Sequence, residues 1–336
     1  MTIHPKHTTL LATALLLLTA PPSSAQLTTT ELDLIEDALV EDPQPELIDE
    51  VIEIGIDAVD EVETYLDDPE AEVKARSLQV LAGIDEVATE ALADALQSTD
   101  LDLVQAALLL AAPRLSEPAI AIEYVANLTD ASVADLQQQT VMVMLAMDAD
   151  TRVAVADFAV PEMTTTLGQF DESALPNAAA LLGKLAMPGE APALNALASL
   201  RSDVATLADD HTRIRSEDAI LFAEANLGDV QALDAFEDDV LNGDPATKRS
   251  RLSYLDQFEP TTRIIQLAIT ALDDTTELTR LSPVHRKRVC DIAADTVGRW
   301  YPDARADIGP PTNYQYTDTQ RAAAKAWLEQ APTGSP

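Results

Sequence analysis

Histidine and cysteine, the side chains that most often do chemistry near neutral pH, are scarce in this chain. The histidines are His4, His7, His211 and His285, and Cys290 is the single cysteine. A zinc site gathers three or four such ligands, and a serine–histidine–acid triad needs an imidazole beside its nucleophile. His211 follows Asp209-Asp210 in a polar stretch, and His285 stands next to Arg286-Lys287-Arg288. Both read as solvent-exposed histidines rather than ligands or bases. Cys290 has Val289, Ile292 and Ala293 at helical spacing, which marks a small buried hydrophobe. One cysteine excludes an internal disulfide, so stability has to come from core size.

Carboxylates are the opposite case. With 58 Asp and Glu in 336 residues, closeness of two acids in sequence carries no information about acid–base work. Most belong on solvated helix faces. Asp148-Ala149-Asp150 opens like a calcium loop but lacks the third ligand, the glycine and the closing glutamate. The chain has no phosphate-cradling glycine loop, no nucleophile elbow and no zinc-protease helix. The expectation is therefore no catalytic centre, no metal site and no cofactor.

Basic residues carry more information than acidic ones because they are so unevenly placed. Residues 26–244 hold 8 basic and 47 acidic side chains, whereas 245–305 hold 10 basic and 8 acidic. Arg280, Arg286, Lys287, Arg288 and Arg299 lie close to Trp300 and Tyr301, the pairing of guanidinium and aromatic side chains that is enriched at interface hot spots. These seven residues are the candidate partner-binding set. The competing reading is that the bases pair with acids of neighbouring helices while Trp300 fills the core. Formal net charge is −37, which repels nucleic acid and anionic lipid from the general surface. Few lysines and many aspartates are shared by salt-adapted proteins and by acidic exported ones.

The elements that must position these residues are helices. Hydrophobic residues make up 47% of the chain but aromatic ones only 4%, and Ala and Leu dominate the apolar set. Those side chains lose little rotamer freedom in a helix, whereas sheets draw on β-branched and aromatic residues. The N-terminus follows the layout of a secretory signal peptide. Lys6 precedes an apolar run of 11 residues from Leu10 to Ala20, then Pro21-Pro22 and Ser23-Ser24-Ala25. The run is short of the roughly 20 residues that span a bilayer. Cleavage after Ala25 is expected, with export to the periplasm or the medium and no stable membrane insertion afterwards.

Beyond the leader a period appears. Asp68, Asp100 and Asp130 are 32 and 30 residues apart, each opening an apolar-periodic stretch. Gly83 stands where a left-handed helix cap belongs, and Asp85 begins a partner helix through Leu96. Pro118 to Leu128 is a further helix. Leu182-Gly183-Lys184-Leu185, Asn226-Leu227-Gly228-Asp229 and Asn242-Gly243-Asp244-Pro245 restore the pattern downstream. A helix–turn–helix period of about 30 residues is that of an α-solenoid, in which each hairpin needs a neighbour to bury its second stripe.

At Asp68-Pro69, Val73-Lys74 and Gly83-Ile84-Asp85 the chain resembles the HEAT-repeat family, particularly its short bacterial form, with Asn226–Asp229 and Gly243–Pro245 as further matches. The likeness spans about residues 45–130 and 213–272 and is blurred over 140–212. The basic residue after the valine is Lys74 in one copy but Gln105 in the next. Armadillo-like and other α-hairpin stacks are alternatives, because amphipathic hairpins of this length are not unique to one family. The resemblance implies an all-α solenoid of stacked helical hairpins, wound as a HEAT-like superhelix, and an interaction role without a reaction centre. Some HEAT-like proteins are linked with bilin attachment, which keeps a lyase or hydrolase on a helical scaffold as an alternative; a structural protein of the cell envelope is another. The expected organisation is a leader over 1–25, repeats over 26–300 with a joint near 161–176, a capping segment over 301–330 and a disordered tail over 331–336. The expected partner is a basic protein or peptide, drawn to the acidic two-thirds.

Overall fold

Many helix starts in this chain are marked by short polar side chains, and most of those marks are aspartates. In a computed structural model that describes residues 27–41, 44–129, 134–280 and 286–330, Asp100, Asp148, Asp209, Asp229 and Asp244 each accept a backbone N–H from the first turn of the helix that follows. Each such cap contributes about 1 kcal/mol by satisfying a donor that the helix itself cannot. Thr28 and Thr317 do the same with reciprocal help from Glu31 and Gln320. Asp148, the start of the loop that looked like a calcium site, is occupied as such a cap, accepting from Thr151 N at 2.8 Å. The leader with His4 and His7, Asp130, His285 and the tail over 331–336 lie outside the described residues.

The fold is all-α, and the chain divides into two units between Glu86 and Val87. The first contains α1 (Thr29–Glu36), extended by a wider π-helical turn over Asp37–Glu41, then α2 (Pro45–Ile54), α3 (Val59–Glu63) and α4 (Ala71–Gly83). Here Gly83 departs from its expected role. Its backbone is not left-handed, and it is the last residue of α4. Its lack of a side chain serves packing instead, because a Cβ there would lie 2.5 Å from Cδ1 of Ile52 on α2.

The second unit is a two-layered stack. One layer runs α6 (Leu101–Ala111), α8 (Ala134–Ala146), α10 (Leu175–Leu185), α12 (Asp210–Asn226), α14 (Pro245–Leu255) and α16 (Val289–Trp300). The other runs α5 (Ala88–Leu96), α7 (Pro118–Thr129), α9 (Ala149–Thr166), α11 (Ala191–Val204), α13 (Val230–Asn242) and α15 (Thr262–Ala271). Successive hairpins place their Ala and Leu stripes between the layers, where Leu92, Leu108, Leu128, Leu181, Leu197 and Ala268 are fully buried. Side-chain amides tie neighbouring helices together where helices end, two of them within a layer and one between layers. Asn127 donates to Leu96 O at 2.8 Å, buried Gln137 to Leu128 O at 3.2 Å, and Asn226 to Gly183 O at 2.7 Å. Each closes a helix C-terminal carbonyl that would otherwise lack a donor.

The joint expected near 161–176 falls inside this unit. Residues 161–166 continue α9, with Pro161 within the helix, and Pro176 sits in the first turn of α10, where its missing N–H costs nothing. Between α15 and α16 the chain forms a small antiparallel pair, β1 (Glu277–Arg280) with β2 (Arg286–Arg288). Helix content drops at Pro302, and α17 (Ala304–Ile308) and α18 (Asp318–Gln330) follow. The last helix lies against α15, α16 and α17, held by Arg321 donating to Leu272 O at 3.0 Å and Lys325 paired with Asp273 at 3.0 Å.

Helices α10 and α12 approach each other closely. A Cβ on Gly183 would lie 2.5 Å from Cα and 2.6 Å from Cβ of Ala223, so the backbones meet with nothing between them. Gly228, at φ +87°, then turns the chain out of α12 in a conformation that other residues rarely adopt. Gly183→Val is expected to destabilise the protein by about 2 kcal/mol through forced separation of the two helices. Gly168→Ala, whose new methyl meets only Asp203 Oδ2 at 3.5 Å, is expected to stay within about 0.5 kcal/mol of the parent. Urea unfolding of both variants measures the difference, and equal midpoints would remove the close-approach argument.

Candidate docking cleft

Three consecutive helices of one layer each contribute one stripe to a common cleft. On α12 the stripe is His211, Ile214, Arg215 and Asp218; on α14 it is Ala246, Arg249, Ser250 and Ser253; on α16 it is Ile292, Asp295, Thr296 and Arg299. All three follow the i, i+3, i+4, i+7 spacing of a single helix face. Together with Leu278 on β1 and Lys287 on β2 they line a cleft of about 1200 Å³.

Its floor is held by a buried ion network. Asp218 is 8% exposed, yet it accepts from both the Arg251 guanidinium and the Ser250 hydroxyl of α14. Arg251 also donates Nε to Asp239 of α13 at 2.8 Å, so one guanidinium joins three helices. Beneath lies most of the chain's sparse phenylalanine. Phe222 stacks on Tyr254 at 5.1 Å between ring centres and meets Phe258 edge-on at 4.9 Å, and Phe236 meets Phe258 edge-on at 4.8 Å. Burial, with the Asp218 charge nearby, pushes the Tyr254 hydroxyl up to about 12. Across the cleft wall Arg299 pairs with Asp256, and Lys287 pairs with Asp295 at 3.0 Å.

The seven residues expected to bind a partner are not all brought to this cleft. Lys287 and Arg299 line it. Arg288 turns away, donating Nη2 to the fully buried Asp291 at 2.8 Å and to Tyr316 O at 2.9 Å, which fastens the segment before α18 onto α16. Trp300 donates its indole N–H to Phe258 O at 3.1 Å, and Tyr301 stacks on Trp327 of α18 at 6.5 Å. Arg280 and Arg286 face each other in register in the strand pair, and the described residues do not include their side chains.

His211 is exposed, one residue into α12, and Cys290 is fully buried, its thiol pushed up by desolvation. Among the described residues no three of His, Cys, Asp and Glu come together as a metal-binding group. No helix among them is long and apolar enough to cross a membrane. Arg215, Arg249 and Arg251 are the cleft bases that sequence reasoning passed over. Their signal was local: Arg215 lies four residues after His211 on one helical face, but it falls inside the stretch counted as acidic.

No protein-family profile matches the chain, and no curated protein matches it.

Two stability tests follow from the charges around this layer. Arg251→Met leaves Asp218 buried without its guanidinium and is expected to cost about 3 kcal/mol, most of it recovered by adding Asp218→Asn. Chemical unfolding of the single and double variants measures this, and an additive double variant would contradict it. Lys184 on α10 is half-buried, with burial first and Arg152 second holding its ammonium below the usual lysine range. The folded chain then binds fewer protons than the unfolded one as pH rises toward 10.5, so this residue makes stability increase with pH in that window. Lys184→Met is expected to flatten that rise; identical pH profiles for both proteins would exclude it.

Proposed function

We propose that the chain is a non-catalytic interaction scaffold, a stack of helical hairpins of the HEAT-like kind that holds a basic protein or peptide partner outside the cytoplasm. The observation that carries this reading is the alternation of layers in the second unit. It leaves the outer faces of the helices exposed along the stack rather than closing them into a core. Repeat architectures bind through such surfaces because each added hairpin extends the contact area without disturbing the one before.

The sign of the partner follows from the acidic excess of residues 26–244, where 47 carboxylates face 8 bases. Such a field steers cations toward the surface and raises their encounter rate. Of the arginine–aromatic cluster, Lys287 and Arg299 line the cleft between α12, α14 and α16, each paired with an aspartate, so they do not oppose a basic partner held on the acidic surface. The leader-like pattern over residues 1–25 supports a place of action beyond the inner membrane.

Binding of a lysine-rich peptide, followed by fluorescence anisotropy, is expected to weaken by about tenfold or more between roughly 50 and 300 mM salt. An affinity indifferent to ionic strength would remove the electrostatic basis of the proposal. Crosslinking in the intact envelope, followed by mass spectrometry, is expected to capture one recurrent basic protein; capture of none would favour a purely structural role.

A further inference from the structure

The cleft between α12, α14 and α16 has the opposite charge to the chain around it. Five cationic side chains, Arg215, Arg249, Arg251, Lys287 and Arg299, line it with three carboxylates, in a protein of formal net charge −37. Each carboxylate already holds a base: Asp218 has Arg251, Asp256 has Arg299 and Asp295 has Lys287. Arg215 and Arg249 remain. Both are exposed, they stand on neighbouring helices of the layer, and neither has a hydrogen-bond or ion-pair partner among the described residues.

A free guanidinium is a planar, weakly hydrated fork whose best partner is a carboxylate bound through two N–H groups. Beside these two forks the cleft also exposes apolar side chains. Ile214 is 50% exposed next to Arg215, and Leu278 and Ile292 are partly open on the opposite wall. The dimensions suit a chain segment. Each stripe runs about 10 Å along its helix. Two interaxial steps add about 16–20 Å across, the length of roughly six extended residues. At about 1200 Å³ the space exceeds what most small-molecule sites enclose.

We propose that this cleft docks an acidic, partly apolar peptide segment of a partner protein. Arg215 and Arg249 clasp its carboxylates, and its apolar side chains rest on Ile214, Leu278 and Ile292. The inference rests on the scaffold reading and gives the scaffold a second docking surface of opposite sign. The long-range field of the chain repels anions, so recognition here is short-range and selective for segments that bring both charge and apolar surface. At about 0.15 M salt the field is screened beyond about 8 Å, while the contacts inside the cleft persist.

The test compares rhodamine-labelled hexapeptides of alternating Glu and Leu, Glu and Ser, and Lys and Leu, titrated with the full chain at about 0.15 M salt. The Glu/Leu peptide is expected to bind, and Arg215→Glu with Arg249→Glu is expected to weaken it by about tenfold or more, as losing two charge-assisted contacts requires. The thermal midpoint should not change, because neither arginine holds a partner; Arg215→Gln with Arg249→Gln serves if the reversed pair fails to fold. The Lys/Leu peptide should bind the reversed variant at least as well as the parent. Failure of the Glu/Leu peptide to bind, or binding unmoved by the substitutions, overturns the inference, and the scaffold reading still stands if the Lys/Leu peptide binds with its expected salt dependence. Equal binding of Glu/Ser, or full displacement by millimolar succinate or phosphate, would make this a small-anion site and overturn the peptide assignment. A concentration-dependent dimer abolished by the substitutions would assign the cleft to a second copy and overturn it equally.

Discussion

The contact on which the second unit depends is the meeting of two helix backbones at Gly183 and Ala223. Glycine has no side chain and alanine only a methyl, so α10 and α12 approach closely at this point. Dispersion between close-packed atoms is weak per pair and large in sum, and it falls steeply with even a small gap. The bond from Asn226 to Gly183 O fixes the rotation of one helix on the other at that same point. That rotation decides which stripe of α12 faces inward and which faces out. Ala219, Phe222 and Ala223 are buried, leaving His211, Ile214 and Arg215 to the open side.

From that point the cleft is built outward by charge pairs of unequal weight. Arg251 with Asp218 is mostly withdrawn from water and joins α12 to α14, while its second bond reaches α13. Arg299 with Asp256 lies in the open wall with the arginine more than half exposed, and exposed pairs contribute little to stability. The first kind of pair therefore shapes the fold, and the second shapes the exposed wall of the cleft. Asp291 is a third case. It is fully buried and accepts from Arg288 and from Tyr316 N at 2.9 Å, which draws the chain before α18 back onto α16.

This organisation reconciles a very acidic composition with a helical stack. Aspartates concentrate at helix starts, where their charge is stabilised by free N–H groups and by the helix dipole. Bases concentrate in the later helices, where several cross between neighbouring elements. The general field and the cleft then differ in sign, and the two surfaces suit partners of opposite charge.

The helices were legible in the sequence because what starts and stops them lies within four residues. Asp100, Asp229 and Asp244 announce their helices by capping them, Thr317 does so with Gln320, and Ala and Leu at helical spacing mark the buried faces. The burial of Cys290 was legible for the same reason. What sequence could not supply is anything that depends on the order in which distant faces meet. The strand pair over 277–288 was missed because the intervening sequence has no glycine turn to signal it, and Gly83 was misread because its neighbour Ile52 is thirty-one residues away. The cleft belongs to the same class. His211, Arg249 and Arg299 sit on three helices whose spacing along the chain carries no trace of their proximity. Only packing decides that Arg251 turns inward to a buried aspartate while Arg215 and Arg249 stay open to solvent, because burial is a property of neighbouring helices and not of the residue itself.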